Sequence, residues 1–259
     1  MVVTYDFEAH VLTEDSASEA QEVVETLLKK MFLFMDGRFQ SHRVDFRPLG
    51  EARLKIATLP SLWNSSEAAH EAVLRDLGQY IATQLLRSEP VTFVFFHFDG
   101  DSKWSERLAS GINAPRFESR VRTRIRNFVR GILSKRGEED RLEQVMKRLR
   151  PLVPYYCVES WTYQNLDRAR ALCEQHCGEH ADLLDKWGHD RASVDEVEQP
   201  WAALCLGKLH NLDLAGAGFP AGEAYGAGAS YWAAVESLQE CDQLLERIRA
   251  TWDRDYSAG

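Results

Sequence analysis

Hydrophobic and polar positions along the chain switch repeatedly between a period of two and a period near 3.6. Residues Thr4 to Leu12 place Tyr5, Phe7, Ala9 and Val11 two apart and predict a first strand. Thr13-Glu14-Asp15-Ser16 follows, with Ser16 an N-cap and Glu19 its capping-box partner. A helix then runs to about Met35, carrying Val23, Val24, Leu27, Leu28 and Met31 on one face. Arg43 to Leu49 reads as a short second strand, residues 60–66 as a loop, and Ser66 as the cap of a helix from Glu67 to about Leu86. Next comes VTFVFFHF, Val91 to Phe98, an apolar run bounded by Pro90 and Gly100. Such a run predicts a strand buried on both faces, central in a parallel sheet. Strand, helix, strand, helix, strand is the α/β order.

The second half is mostly helical. Glu118 to Leu133 and Glu138 to Leu149 predict two helices parted near Gly137. Pro151 opens a predicted strand, Leu152 to Val158, which ends at Glu159. Helical periods return over Gln164 to Cys177 and Ala181 to Trp187, then over Tyr231 to Trp252. The Gly- and Ala-rich stretch from Leu214 to Ser230 reads as a loop. The expected organisation is a core over 1–161, with a basic helical insertion at about 107–150, and a mostly helical C-terminal region over 162–259 packed on it. The expected fold class is α/β, a mainly parallel sheet flanked by helices.

Composition narrows the picture only at its margins. A hydrophobic fraction of 44% supplies a core, and a net charge of -9 argues against a generic nucleic-acid coat. The five cysteines form no repeated framework, which suits a reducing, cytoplasmic setting. The start MVVTYDFEAH lacks the basic and apolar regions of a signal peptide, and no apolar run reaches membrane-span length, so no membrane partner is expected.

Asp99-Gly100-Asp101 ends the strongest strand, where open α/β sheets place ligands. Two crowded carboxylates repel each other, and a hard divalent cation relieves the repulsion. The bland alternative is a polar turn. Acids also follow the first strand, as Glu14 and Asp15, and the late strand, as Glu159. In a parallel sheet these ends share one edge, so the acids can converge on Mg²⁺ or Mn²⁺ for phosphoryl chemistry. The alternative gives Asp15 and Ser16 to helix capping and Glu159 to a helix start, where an acid complements the dipole.

An acidic Glu after strand one, then a helix, then a hydrophobic strand ending in DxD resembles the TOPRIM domain of topoisomerases, primases and OLD-type nucleases. VLTEDSASEA resembles the opening of TOPRIM-like nucleases of bacterial defence systems, and VESW a short acidic motif of some relatives. The likeness covers roughly residues 3 to 161. It implies a metal-dependent nuclease, with Glu14 the acid after strand one and Asp99 and Asp101 the DxD pair. Glu14, Asp99, Asp101 and Glu159 would be metal ligands. Where many members carry a third acid, this chain has Lys103, a candidate to bind or activate a phosphate. The resemblance further implies an anti-phage effector controlled by a separate ATPase sensor, since this chain has no GxxxxGK[ST] of its own.

Arg107, Arg116, Arg120, Arg122, Arg124, Arg126 and Arg130 form a basic island. Arg116, Arg120 and Arg124 are the candidates to hold a DNA or RNA backbone. The alternating set turns about 200° per two residues, so it surrounds a helix, and some members are expected to pair with internal acids or a partner. Cys173, His176, Cys177 and His180 invite a zinc reading. On one continuous helix their ends lie about 10 Å apart, too far for four ligands of one ion, so they read as core cysteines with surface histidines, unless Gly178 breaks the helix. His97 reads as a satisfied core histidine, or as a partner to a ligand. Two other functions stay open. One is a haloacid-dehalogenase-like phosphatase, whose opening also has a strand and DxD. The other is a non-catalytic α/β protein that binds a partner. A nucleotide-sugar transferase fits less well.

Overall fold

The computed structural model describes residues 5–13, 18–48, 68–101, 103, 105, 113–207, 210–216 and 218–253. The expectations for Glu14, Asp15, Ser16, the 60–66 loop, Ser66 and Arg107 lie outside these residues.

Four strands build the sheet: β1 (Phe7–Thr13), β2 (Val44–Pro48), β3 (Thr92–His97) and β4 (Leu149–Leu152). Every pairing is parallel and the order is β2-β1-β3-β4. The α/β class expected from the sequence is the class found. Helix α1 (Ser18–Met35) links β1 to β2, and α2 (Ala68–Leu85) precedes β3. Right-handed crossovers require these two helices to lie on opposite faces, because the first moves one way along the sheet and the second moves back past β1. The two cores obey this. Phe7, Ala9, Val11, Phe93 and Phe95 pack with α1, whereas Leu12, Val94, Phe96 and Phe98 pack with α2. All six residues of β3 and all seven of β1 are buried, as a central position demands.

The β3–β4 crossover is one helical run in three parts: α3 (Asn113–Arg116), a π-helical turn (Phe117–Arg122) and α4 (Thr123–Arg136). Its buried residues Phe117, Val121, Ile125, Val129 and Leu133 recur every four positions. On a regular helix that spacing drifts about 40° per step. The wider π turn takes up part of the drift and keeps Phe117 on the core, stacked with Phe98 at 4.9 Å. The Thr123 N–H donates to Glu118 O, the i to i−5 bond of that turn. Gly137 closes α4 at φ 71°, and α5 (Leu142–Met146) leads into β4.

Three expectations are corrected here. The predicted strand Leu152 to Val158 is displaced: β4 is Leu149–Leu152 and contains Pro151 rather than starting after it. Within the sheet β4 pairs on one side only, so Pro151 forfeits no ladder bond. The Gly-Ala stretch is not one loop. It holds the last two residues of α10 (Asn211–Ala215) and all of α11 (Ala221–Gly226), whose Ala215 and Ala224 are buried in the core that α1 covers. The predicted final helix is two, α12 (Ser230–Gln239) and α13 (Asp242–Asp253), with a break that seats Cys241 in the core.

Between β4 and α10 run α6 (Glu159–Thr162), α7 (Leu166–His176), α8 (Ala181–His189) and α9 (Pro200–Ala203). They surround a third, smaller cluster that includes Tyr163, Leu166, Trp187 and Leu204. Tyr231, Val235, Leu238, Leu244 and Ile248 of α12 and α13 join the α1 face of the sheet. Among the described residues no helix is long and apolar enough to cross a membrane.

Candidate active site at the carboxyl edge of the sheet

The order β2-β1-β3-β4 has its topological switch point between β1 and β3, because the chain leaves β1 toward β2 and returns past it to β3. Ligands of open α/β sheets bind beyond the carboxyl ends at such a point. In register, Thr13 of β1 pairs with His97 of β3, and His97 with Leu152 of β4. Asp99-Gly100-Asp101 therefore leaves the sheet at the switch point.

The turn is held by its backbone. Beyond the ladder, Phe98 N–H donates to Leu152 O at 3.2 Å and Gly100 N–H to Pro154 O at 2.9 Å. A Cβ on residue 100 would meet Tyr155 O at 2.5 Å, so only glycine permits this approach. Asp101 sits at φ 53°, a left-handed conformation that Asp tolerates better than most residues. Buried Asn113 fixes both flanks, donating to Asp99 O at 2.8 Å and to Asp101 Oδ2 at 2.9 Å. The carboxylates are presented differently: the Asp99 side chain is half-buried, whereas Asp101 is exposed, as is Lys103.

Glu159 does not follow a strand directly. It opens α6, the position where the alternative reading placed it, and accepts a hydrogen bond from Asn211 Nδ2 at 3.1 Å. The segment that carries it is tied to the Asp99 turn: Pro154 O takes the Gly100 N–H, and the Trp161 ring packs 6.5 Å from His97. Burial pushes the Cys157 thiol up, and the negative charges of Glu159 and Asp99 both push it further. Among the described residues, then, Asp99, Asp101 and Glu159 gather at one edge. β1 ends at Thr13 on that edge, and Glu14 lies outside the described residues.

His97 departs from the satisfied core histidine expected of it. It is buried, and among the described residues neither ring nitrogen has a hydrogen-bond partner. Nε2 stands 3.6 Å from Asp99 Oδ1, beyond hydrogen-bond range, and Trp161 packs edge-on with its ring centre 6.5 Å away. Burial lowers the His97 pKa to about 3, so the ring is neutral at ordinary pH.

The basic island is largely answered from within. Arg120 lies 3.8 Å from Glu71 in the first turn of α2, and Arg124 also pairs with Glu71. Arg122 pairs with Glu118 at 3.5 Å, and Arg126 with Glu143. The alternating arginines thus divide between two sides of the helix, as their period requires. Among the described residues Arg116, in α3, is the member nearest in sequence to the Asp99 turn.

Sequence reasoning missed a second polar constellation. Glu8 is buried on β1 and takes Arg87 Nη1 at 2.6 Å, Thr92 Oγ1 at 3.2 Å and Arg47 at 3.3 Å. His10 links it to Tyr80, with Nε2 3.4 Å from Glu8 and Nδ1 3.2 Å from the Tyr80 hydroxyl. Burial lowers the His10 pKa although Glu8 pulls it up. An available signal was two polar residues at period two on a strand whose other face is Phe7, Ala9 and Val11.

No protein-family model matches the chain, and no match is found among curated proteins or solved structures.

Proposed function

We propose that the chain is a divalent-metal-dependent nuclease. The observation that carries this reading is the Asp-Gly-Asp turn at the β1–β3 switch point, with Glu159 at the same edge. Asp99, Asp101 and Glu159 offer hard oxygen donors, a set that suits Mg²⁺ or Mn²⁺ rather than a soft ion. Buried His97, whose ring nitrogens have no hydrogen-bond partner among the described residues, supports a polar site rather than a solvated turn. A bound cation supplies Lewis acidity toward a phosphate oxygen. In this reading Asp99 and Asp101 hold it, with Glu159 from the flank. Glu14, by its resemblance role, takes the proton of the attacking water as the P–O bond to the leaving oxygen breaks. Lys103 meets the phosphate charge, and Arg116, Arg120 and Arg124 meet the backbone. Control by a separate ATPase sensor rests on the TOPRIM resemblance alone.

Incubation with DNA and with RNA in Mg²⁺ or Mn²⁺, with and without EDTA, tests the proposal. We expect EDTA-sensitive cleavage that falls to background in Asp99→Asn. Glu14→Gln should lower it by about 10²- to 10⁴-fold, the span of a general base. Asp101→Asn should be milder, because this carboxylate is exposed. Wild-type cleavage by Asp99→Asn would end the metal-nuclease reading. Hydrolysis of a small phosphomonoester without cleavage of polynucleotide would favour the phosphatase.

A further inference from the structure

Helix α7 ends at His176, and Gly178 at φ 68° reverses the chain, so the continuous helix that kept four ligands apart does not exist. His180, the residue before α8, folds back toward the end of α7. A ligand from outside the local sequence then joins. Cys205, just after α9, brings its sulfur 3.1 Å from His180 Nε2. The ligand atoms of Cys177, His180 and Cys205 all lie within 4.8 Å of one another. Cys173 Sγ is 3.9 Å from Cys177 Sγ, and the Cys177 and Gly178 N–H groups both donate to the Cys173 carbonyl, which fixes the turn. Cys205 has φ 54°, a left-handed conformation unusual for a non-glycine residue, so the backbone is bent where its thiol enters the cluster.

We propose that Cys177, His180 and Cys205, with Cys173 beside Cys177 drawn in as the fourth ligand, form a structural site for zinc or a similarly soft divalent ion. Three sulfurs and one imidazole are a common tetrahedral zinc set. With a Zn–S bond of about 2.3 Å, two sulfurs on one tetrahedral ion sit roughly 3.8 Å apart, close to the Cys173–Cys177 separation. A sulfur and an imidazole nitrogen sit roughly 3.5 Å apart, so the His180–Cys205 contact relaxes outward by a few tenths of an ångström on binding. His176 is not a ligand: its ring packs edge-on to His210, with centroids 5.2 Å apart. The ion has a physical task. The third core cluster is the smallest of the three, and a staple between the α7–α8 turn and the segment after α9 closes it. This site is distinct from the carboxylate edge in residues and in donor hardness.

The full chain, purified without added chelator, is assayed for metal by plasma emission, and the apo form is titrated with Co²⁺. We expect one zinc per chain, and with Co²⁺ the thiolate charge-transfer and intense visible bands of a tetrahedral sulfur-rich site. Cys177→Ser and Cys205→Ser should each retain at least about 10-fold less zinc, whereas His176→Asn should retain it fully. The wild-type Co²⁺ spectrum decides the matter even where a cysteine variant fails to fold. Wild-type chain with no metal and no such bands would overturn the site. So would a Cys173–Cys177 disulfide in non-reducing peptide maps, or loss of zinc in His176→Asn as large as in Cys205→Ser. None of these outcomes depends on nuclease activity.

Discussion

Burial holds the His97 imidazole neutral, with its pKa near 3 against about 6.5 in the unfolded chain. His10 is depressed by the same cause. Below pH 6.5 the unfolded state binds protons that the folded state refuses, so stability is present above that pH and is lost as pH falls toward 3. For His97 alone the loss between pH 7 and 5 is about 2 kcal/mol at most. Asp195 acts in the opposite sense, since burial raises its pKa, so the total slope is a poor reporter. The difference between wild type and His97→Asn is the cleaner one: melts without metal should show a shallower acid slope in the variant. Equal slopes would mean that water reaches the ring. A second residue-scale test concerns Glu8, which holds Arg87 and Arg47 from a buried position. Glu8→Gln should cost about 3 kcal/mol, because the guanidinium groups lose the charge they were built around. A denaturant midpoint unchanged in Glu8→Gln would make the cluster a surface pair. The sequence announced Asp99 and Asp101, whose strand ends so abruptly. Of Glu8 and His10 it showed only their period of two on β1, because pairing across 79 residues has no local signature.

At the scale of elements, α2 and the α3–α4 run pack along one face of the sheet, and Glu71 stands between them. Its single charge serves both Arg120 and Arg124. Glu71→Gln should therefore free positive charge beside the carboxyl edge and tighten polynucleotide binding, more at low salt than at high. Charge reversal at Arg120 and Arg124 together should weaken it in the same salt-dependent way. Binding indifferent to salt in both variants would leave the arginines a purely structural role. Periodicity was a good guide for β1, α1, α2 and β3, whose ends fall within about three residues of expectation. It failed where the cause was tertiary. Pro151 looked like a strand start, yet an edge position accepts it inside β4. The Gly-Ala stretch looked like a loop, yet packing against α1 turns part of it into helix. The zinc-like set was half legible: Cys173, Cys177 and His180 share one segment, but Cys205 comes from 25 residues beyond His180, and only the fold introduces it.

The α1 face of the sheet is not covered by the first 161 residues alone. Tyr231, Val235, Leu238, Leu244 and Ile248 complete it, and polar contacts bind the same helices to distant parts of the chain. Trp161 Nε1 donates to Ser230 Oγ at 2.6 Å, while Asp195 accepts from the Ser230 N–H and hydroxyl at 2.9 and 2.8 Å, capping α12 from another segment. Arg148, just before β4, donates to Gln243 of α13, and Arg150 within it to Ser237 of α12. Gln40 N–H donates to Thr251, and Trp252 Nε1 to Asp36, beside the α1–β2 turn. Each buried large apolar side chain is worth about 1.5–3 kcal/mol, so losing these five removes on the order of 10 kcal/mol. That matches the whole stability of an ordinary domain, about 5–15 kcal/mol. A fragment ending at residue 161 should thus fail to fold, although it contains every residue assigned to the carboxylate site. The intact chain should unfold in one transition, with tryptophan fluorescence and far-ultraviolet dichroism coincident in denaturant. A folded, cooperative 1–161 fragment would show that the C-terminal helices decorate the sheet rather than complete it. Two separated transitions in the full chain would place the zinc-like cluster and its helices in an independent unit.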